Sequence, residues 1–314
     1  MLNSKIILNF PNFSINLGLI TRKNIRLCVN LITNSRIAST SYKFRLRRFN
    51  LLNFLPMKNI ILLNLLVCAS TSLNAQAMEI QWQKCFGGSY YEEAYSIIQT
   101  ADSGYIAVGY NGSLDGDLEG YERVNDFWII KLDPTGNIQW QKGYGSNYLD
   151  RAYKIIRTSD GGYIVIGWAG FTDGDVIGTY GSDYWVIKLD INGNIQWQKS
   201  YGGTEEDVGY DIKQTADGGY ILAGVSISND GDVTGHHGLE SNLDYWVVKI
   251  DSIGNIQWQK SLGGSEDDYC YSVVQASDGS YLIGGFTLSN DGDVTGSHGG
   301  PQDYWIVKLT NSGE

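Results

Sequence analysis

Proline is nearly absent from this chain, with four residues in 314, and histidine is rarer still, with three. Cysteine also numbers four, and two of these, Cys28 and Cys68, fall within the first 77 residues. So few cysteines exclude a disulfide-stapled scaffold, and a body this large can stand on its own core. Cys85 and Cys270 occupy positions that are small residues in other copies of a repeat described below, which reads as unpaired packing. No stretch shows a helical period. No apolar run reaches the ~20 residues that a membrane-spanning helix requires. Acidic residues are missing altogether from residues 1–77, which hold ten of the 23 Lys and Arg. All 34 acidic residues therefore lie from Glu79 onward. Such a body repels nucleic acid and anionic membrane surfaces and attracts cations.

A basic leader ahead of an acidic body predicts a targeting segment. Met57-Lys58-Asn59 precedes an apolar run, Ile60 to Ala69, and then Ala75-Gln76-Ala77. These are the charged, apolar and cleavage regions of an export signal, in order. The expected organisation is an upstream extension or disordered leader over 1–56, a signal peptide over 57–77 and a mature domain over 78–314. No transmembrane span is expected in the mature chain, which would be secreted or held at the outer cell surface.

What is abundant is repetition, together with 39 glycines and 21 tyrosines. Ile-Gln-Trp-Gln-Lys begins at Ile80, Ile138, Ile195 and Ile256, at spacings of 58, 57 and 61 residues. The third copy predicts four strands: Tyr210 to Thr215, Tyr220 to Ser226, Tyr245 to Asp251 and Ile256 to Ser261, here named A to D. Asp217-Gly218-Gly219 joins A to B and Ile253-Gly254-Asn255 joins C to D, both hairpin signals. Strand C is apolar on both faces, as Tyr184, Trp185, Val186 and Ile187 show in the second copy. A strand greasy on both sides belongs to a sheet covered on both sides. One such sheet cannot bury itself, so its copies must stack. The fold class expected is all-β: a β-propeller of four four-stranded antiparallel blades. The ring is either closed by the N-terminal strand Ile80–Lys84 or is an open fragment of a larger propeller.

Strand order places the B–C loops and the D-to-A crossovers at one end of each blade. The loops carry Asp115 and Asp117, Asp173 and Asp175, Asp230 and Asp232, and Asp291 and Asp293. The crossovers carry Glu92, Asp150, Asp207 and Asp268. One face is therefore expected to be strongly negative. Two readings of the Asp-Gly-Asp loops stand. In one, the eight loop aspartates bind Ca²⁺ or another hard cation, the sole cofactor considered. In the other, which the loop chemistry favours, they close Asx-type turns on their own backbone. Asp126, Asp183, Asp244 and Asp303 read as residues that start strand C. Eight of the nine tryptophans recur in pairs within strands and read as packing between blades, and Trp168 as packing too. His236, His237 and His298 read as solvated loop residues. No histidine stands near a strained nucleophile turn, so no Ser–His–Asp arrangement is expected.

The string Trp197, Lys199, Gly202-Gly203-Thr204, Asp217-Gly218-Gly219-Tyr220, Asp230-Gly231-Asp232, Asp244-Tyr245-Trp246, Lys249-Ile250-Asp251 and Gly254-Asn255 resembles the repeat of secreted Bacteroidetes proteins exported by the type IX route. The resemblance covers residues 80–314 and implies export, surface display and a propeller fold. Asp133-Pro134-Thr135-Gly136-Asn137 is similar, more weakly, to the blade signature of quinoprotein-type propellers; no quinone-binding residues accompany it. Two functional classes follow. The first is a non-enzymatic binding or adhesion scaffold for an extracellular glycan or protein. The alternative is an extracellular hydrolase such as a glycosidase, which requires paired carboxylates. The clearest breaks in the repeat are Arg151, Arg157 and Trp168.

Overall fold

The computed structural model describes residues 79–239 and 241–314 in full, and four strands within the first 37 residues. The chain forms two units, Met1–Glu79 and Ile80–Glu314. In the first, β1 (Lys5–Phe10), β2 (Phe13–Leu19), β3 (Leu27–Thr33) and β4 (Arg36–Ile37) pair in sequence order as an antiparallel meander. The export signal expected over 57–77 lies outside the described residues.

The second unit is a series of antiparallel sheets. The first comprises β5 (Glu93–Gln99), β6 (Tyr105–Tyr110), β7 (Phe127–Leu132) and β8 (Ile138–Tyr144). The second comprises β9 (Asp150–Arg157), β10 (Tyr163–Ala169), β11 (Asp183–Leu189) and β12 (Ile195–Tyr201). The third comprises β13 (Asp207–Gln214), β14 (Tyr220–Ser226), β15 (Asp244–Ile250) and β16 (Ile256–Leu262). The fourth has three strands, β17 (Asp268–Gln275), β18 (Tyr281–Thr287) and β19 (Asp303–Leu309). The predicted strands A to D of the third copy are therefore present, with ends shifted by up to three residues. One short 3₁₀ turn, Gly116–Leu118, interrupts the first B–C loop.

Closure by the N-terminal strand does not occur. Ile80–Lys84 adopts no strand, and among the described residues the fourth sheet keeps an unpaired edge at β19. The physical reason lies in where this segment is held. Trp82 packs against Tyr105, at a ring separation of 5.7 Å, and over the turn glycine Gly136 of the first sheet. Trp140, Trp197 and Trp258 sit over Gly193, Gly254 and Gly313 of the following sheet in the same way. Ile80–Lys84 thus lies beside the first sheet, in the place that a preceding D strand would take.

The core forms between sheets, as two-faced apolar strands require. Strands β7, β11 and β15 are buried along their whole length. Each main cluster joins adjoining faces: Phe127 with Trp185, Tyr184 with Trp246, and Tyr245 with Trp305, all with ring centroids 4.6 Å apart. The hydroxyls of Tyr184 and Tyr245 donate to the main-chain oxygens of Trp246 and Trp305, so these buried phenols are not left unpaired. Each buried aromatic of this kind contributes roughly 2–3 kcal/mol through area removed from water. The strand tryptophans are therefore packing residues. Trp168 is half-buried within β10.

The first strand of each sheet, β5, β9, β13 and β17, carries one β-bulge, and the extra residue is a tyrosine. Register skips Tyr95, Tyr153, Tyr210 and Tyr271, between residue pairs such as Gly209 and Asp211. The bulge re-aims these side chains away from the ladder. Their rings meet in a row, with centroids 5.0, 5.1 and 5.3 Å apart. Ala94, Ala152, Gly209 and Cys270 precede the bulges and face Gly109, Gly167, Gly224 and Gly285. This close backbone approach explains the small-residue position. Cys270 is buried there as a free thiol, and Cys85 is free and exposed.

Candidate functional site

The B–C loops and the crossovers do meet at one end, through a clasp repeated in every copy. The first aspartate of each loop accepts a hydrogen bond from a crossover amide. Asp115 accepts from Ser89, Asp173 from Asn147 and Asp230 from Thr204, each at 2.8 Å, and Asp291 accepts from Ser265 at 2.7 Å. The second aspartate uses its main chain: Asp117, Asp175, Asp232 and Asp293 donate to the oxygens of Gly87, Gly145, Gly202 and Gly263. The glycine between them adopts positive φ, +61° at Gly231, where a side chain would be strained. The Asp-Gly-Asp motif is thus a loop-to-crossover clasp in all four copies. Among the described residues, no three Asp, Glu, His or Cys side chains already enclose a metal position.

The crossover aspartates are not on an open rim. Asp150, Asp207 and Asp268 are fully buried, and each faces a buried aspartate at the start of a C strand in the preceding sheet: Asp126 just before β7, Asp183 and Asp244 as the first residues of β11 and β15. A Cβ on Gly145 would stand 2.5 Å from Asp126 Oδ1 and 2.6 Å from Asp150 Oδ2. Gly202 separates Asp183 from Asp207, and Gly263 separates Asp244 from Asp268, in the same manner. Each boundary between sheets therefore holds two carboxylates against one glycine. Asp126, Asp183 and Asp244 are not simply residues that start a strand.

Part of each carboxylate is satisfied locally. Asp207 Oδ2 accepts from the Gly203 amide at 2.8 Å and the Ser228 hydroxyl at 3.0 Å. Asp268 Oδ2 does the same with Gly264 and Ser289, and Asp150 with Ser146. Asp126, Asp183, Asp207, Asp244 and Asp268 each keep one buried Oδ1 with no hydrogen-bond partner. Burial pushes the carboxyls upward, to about 7 for Asp126 and Asp207 and to about 6 for Asp150 and Asp183. Asp244 and Asp268 are raised by the same cause.

The three boundaries differ in what faces the pair. At the first, Arg123 lies 3.3 Å from Asp126 and 2.6 Å from Asp175. At the third, His237 lies 2.9 Å from Asp244 and 3.5 Å from Asp293, and His236 Nδ1 lies 3.5 Å from Asp244. His236 and His237 are therefore engaged with a buried carboxylate rather than solvated. At the second, Tyr180 takes the sequence position of Arg123, and its ring is exposed while its amide donates to Asp183 at 3.1 Å. A cleft of about 450 Å³ opens there between Tyr180, Gly203, Thr204, Asp230 and Asp232.

Sequence reasoning named the six aspartates of these boundaries but not their pairing. A signal was present: members of each pair are 24 residues apart in all three cases. It also missed the tyrosine row, whose members each follow the crossover acid by three residues. Of the repeat-breaking residues, Arg151 stacks over the Tyr110 ring at 4.8 Å.

Fold and site together define a protein of serially stacked antiparallel sheets joined by buried carboxylate pairs. No family profile matches the chain. A stretch of 134 residues is 30% identical to the regulatory protein FlaEY of Caulobacter vibrioides. That match covers 41% of this chain and 14% of the length of FlaEY.

Proposed function

We propose that this chain is a secreted or surface-held, non-enzymatic binding scaffold whose sheets are consecutive blades of a β-propeller. The observation that carries the reading is the clasped end, where the Asp-Gly-Asp carboxylates recur once per sheet in a rigid setting. Regularly spaced like groups suit multivalent attachment to a repeating glycan or protein surface, where linked weak contacts add to a strong one. The propeller arrangement is supported by the first strands of the sheets, which pack in series and align Tyr95, Tyr153, Tyr210 and Tyr271 in one row. A regulatory role, suggested by the partial likeness to FlaEY, would be compatible with such a scaffold.

Binding is tested by passing the full chain over arrays of glycans and surface proteins, with Asp115→Asn/Asp291→Asn as the loop variant. Retention that weakens at least tenfold in the variant supports the scaffold. Retention of nothing at millimolar ligand defeats it. A glycosidase reading draws on the raised carboxyls, since a general acid needs such a shift. Turnover of chromogenic glycosides, abolished by Asp207→Asn, would establish that reading in its place.

A further inference from the structure

We infer that the boundary between the second and third sheets is a divalent-cation site, held by Asp183 and Asp207 with Asp232 across its mouth. The inference is independent of which glycan or protein the scaffold binds.

Three boundaries carry the same trio of carboxylates: Asp126, Asp150 and Asp175; Asp183, Asp207 and Asp232; Asp244, Asp268 and Asp293. In each trio the first two are buried against one glycine, and the third lies on the loop clasped to that glycine's oxygen. A protein cation joins the first and third members in two of the three. Arg123 bridges Asp126 to Asp175, at 3.3 and 2.6 Å. His237 bridges Asp244 to Asp293, at 2.9 and 3.5 Å. No Lys, Arg or His does so in the middle trio among the described residues.

The middle boundary keeps the acids and lacks the counter-charge. Asp183 and Asp207 are both 0% exposed, and each presents an Oδ1 without a hydrogen-bond partner. A Cβ on Gly202 would stand 2.7 Å from Asp183 Oδ1 and would meet Asp207 Oδ2 on its other side, so the two carboxylates approach the same point. Two buried carboxylates cannot both stay ionised without a counter-charge or a proton. Hard oxygen donors from two sheets select a hard cation, and Ca²⁺ accepts six to eight oxygens in flexible geometry. Asp183 and Asp207 supply the fixed ligands. The cleft lined by Tyr180, Gly203, Thr204, Asp230 and Asp232 borders the residue next to Gly202 and, in this inference, is the route by which the ion and the waters that complete its shell enter.

The test is calorimetric titration and thermal melting of the full chain with Ca²⁺, against EDTA. One Ca²⁺ per chain and a midpoint raised by several degrees are expected, because an ion that binds the native state stabilises it. Asp207→Asn and Asp183→Asn should abolish the Ca²⁺ response while leaving the EDTA midpoint equal or higher, since each removes a buried charge. Tyr180→Arg, which copies the Arg123 solution, should raise the EDTA midpoint and lower Ca²⁺ affinity at least tenfold. An unchanged wild-type midpoint overturns the inference. So does a stoichiometry of four, which would place the ions in the Asp-Gly-Asp loops, or an undiminished response in the Asn variants.

Discussion

At the scale of single residues, the buried lysines show how one side chain ties a hairpin to its sheet. Lys249 is almost fully buried within β15, yet its ammonium reaches Asp217 Oδ2 at 3.0 Å, the Ile250 oxygen at 3.0 Å and Gln257 at 2.9 Å. Lys131 and Lys188 repeat the arrangement with Asp102 and Asp160. Lys308 repeats only the contact with Asp278, at 2.8 Å, and both partners are more than half exposed. Asp217→Ala should therefore cost ~2 kcal/mol in urea unfolding, because it leaves a buried ammonium short of a partner. Asp278→Ala should cost below ~0.5 kcal/mol, as surface pairs do. Hydrogen bonds and the lysine hold the Asp217 carboxyl down at about 2. A depressed carboxyl contributes stability above its unfolded value, and that contribution is lost as pH falls towards 2. A second residue-scale expectation concerns the thiols. Burial raises the Cys270 pKa, and Cys85 is exposed. Alkylation mapped by mass spectrometry should modify Cys85 in the native protein and Cys270 only after unfolding.

At the scale of elements, the boundaries between sheets determine how stability answers to pH. Asp150 faces Ser146, Asp173 and Asp126, and Asp126 in turn faces Arg123 and Asp175. Burial pushes their folded carboxyls up to about 6 and about 7, against an unfolded value of about 4. The native state thus binds more protons than the unfolded chain across this window, so stability falls as pH rises through it. Metal-free protein should melt higher at pH 5 than at pH 7.5, contrary to the usual behaviour of paired carboxylates. Asp150→Asn should flatten the profile, and a melting temperature that rises with pH in both proteins would contradict it. Strands and hairpins were legible in the sequence because their signals are local: alternation, glycine turns and the Ile-Gln-Trp-Gln-Lys string. The pairing of Asp183 with Asp207 was not, since each lies on a different sheet and the contact exists only once the sheets stack.

At the scale of the whole molecule, the outer face of the fourth sheet stands apart from the others. Tyr304 and Ile306 are 96% and 70% exposed, whereas Tyr245 and Val247, their counterparts one sheet earlier, are fully buried. Trp128, Trp185 and Trp246 donate to Gln141, Gln198 and Gln259 of the adjacent D strand. Trp305 and the β19 edge have no such strand among the described residues. An exposed edge of this kind accepts an added strand, main chain supplying affinity and side chains supplying register. A peptide spanning residues 80–89 should raise the melting temperature of the full chain in proportion to its concentration, and a scrambled peptide should not. An equal effect of both would remove the claim that β19 selects this sequence.

The amino-acid order by itself determined the repeat, the strands, the turns and the end of each sheet at which the acidic loops gather. All of these depend on neighbours a few residues apart, or on the alternation that hydrogen-bonded strands impose. Only the tertiary structure decided which acids are buried, which side chain answers the first and third pairs, and that Ile80–Lys84 lies against the first sheet rather than in the fourth. Those outcomes depend on the distance between sheets, and one Arg-for-Tyr difference at positions 123 and 180 changes the charge of a boundary without altering the strand pattern.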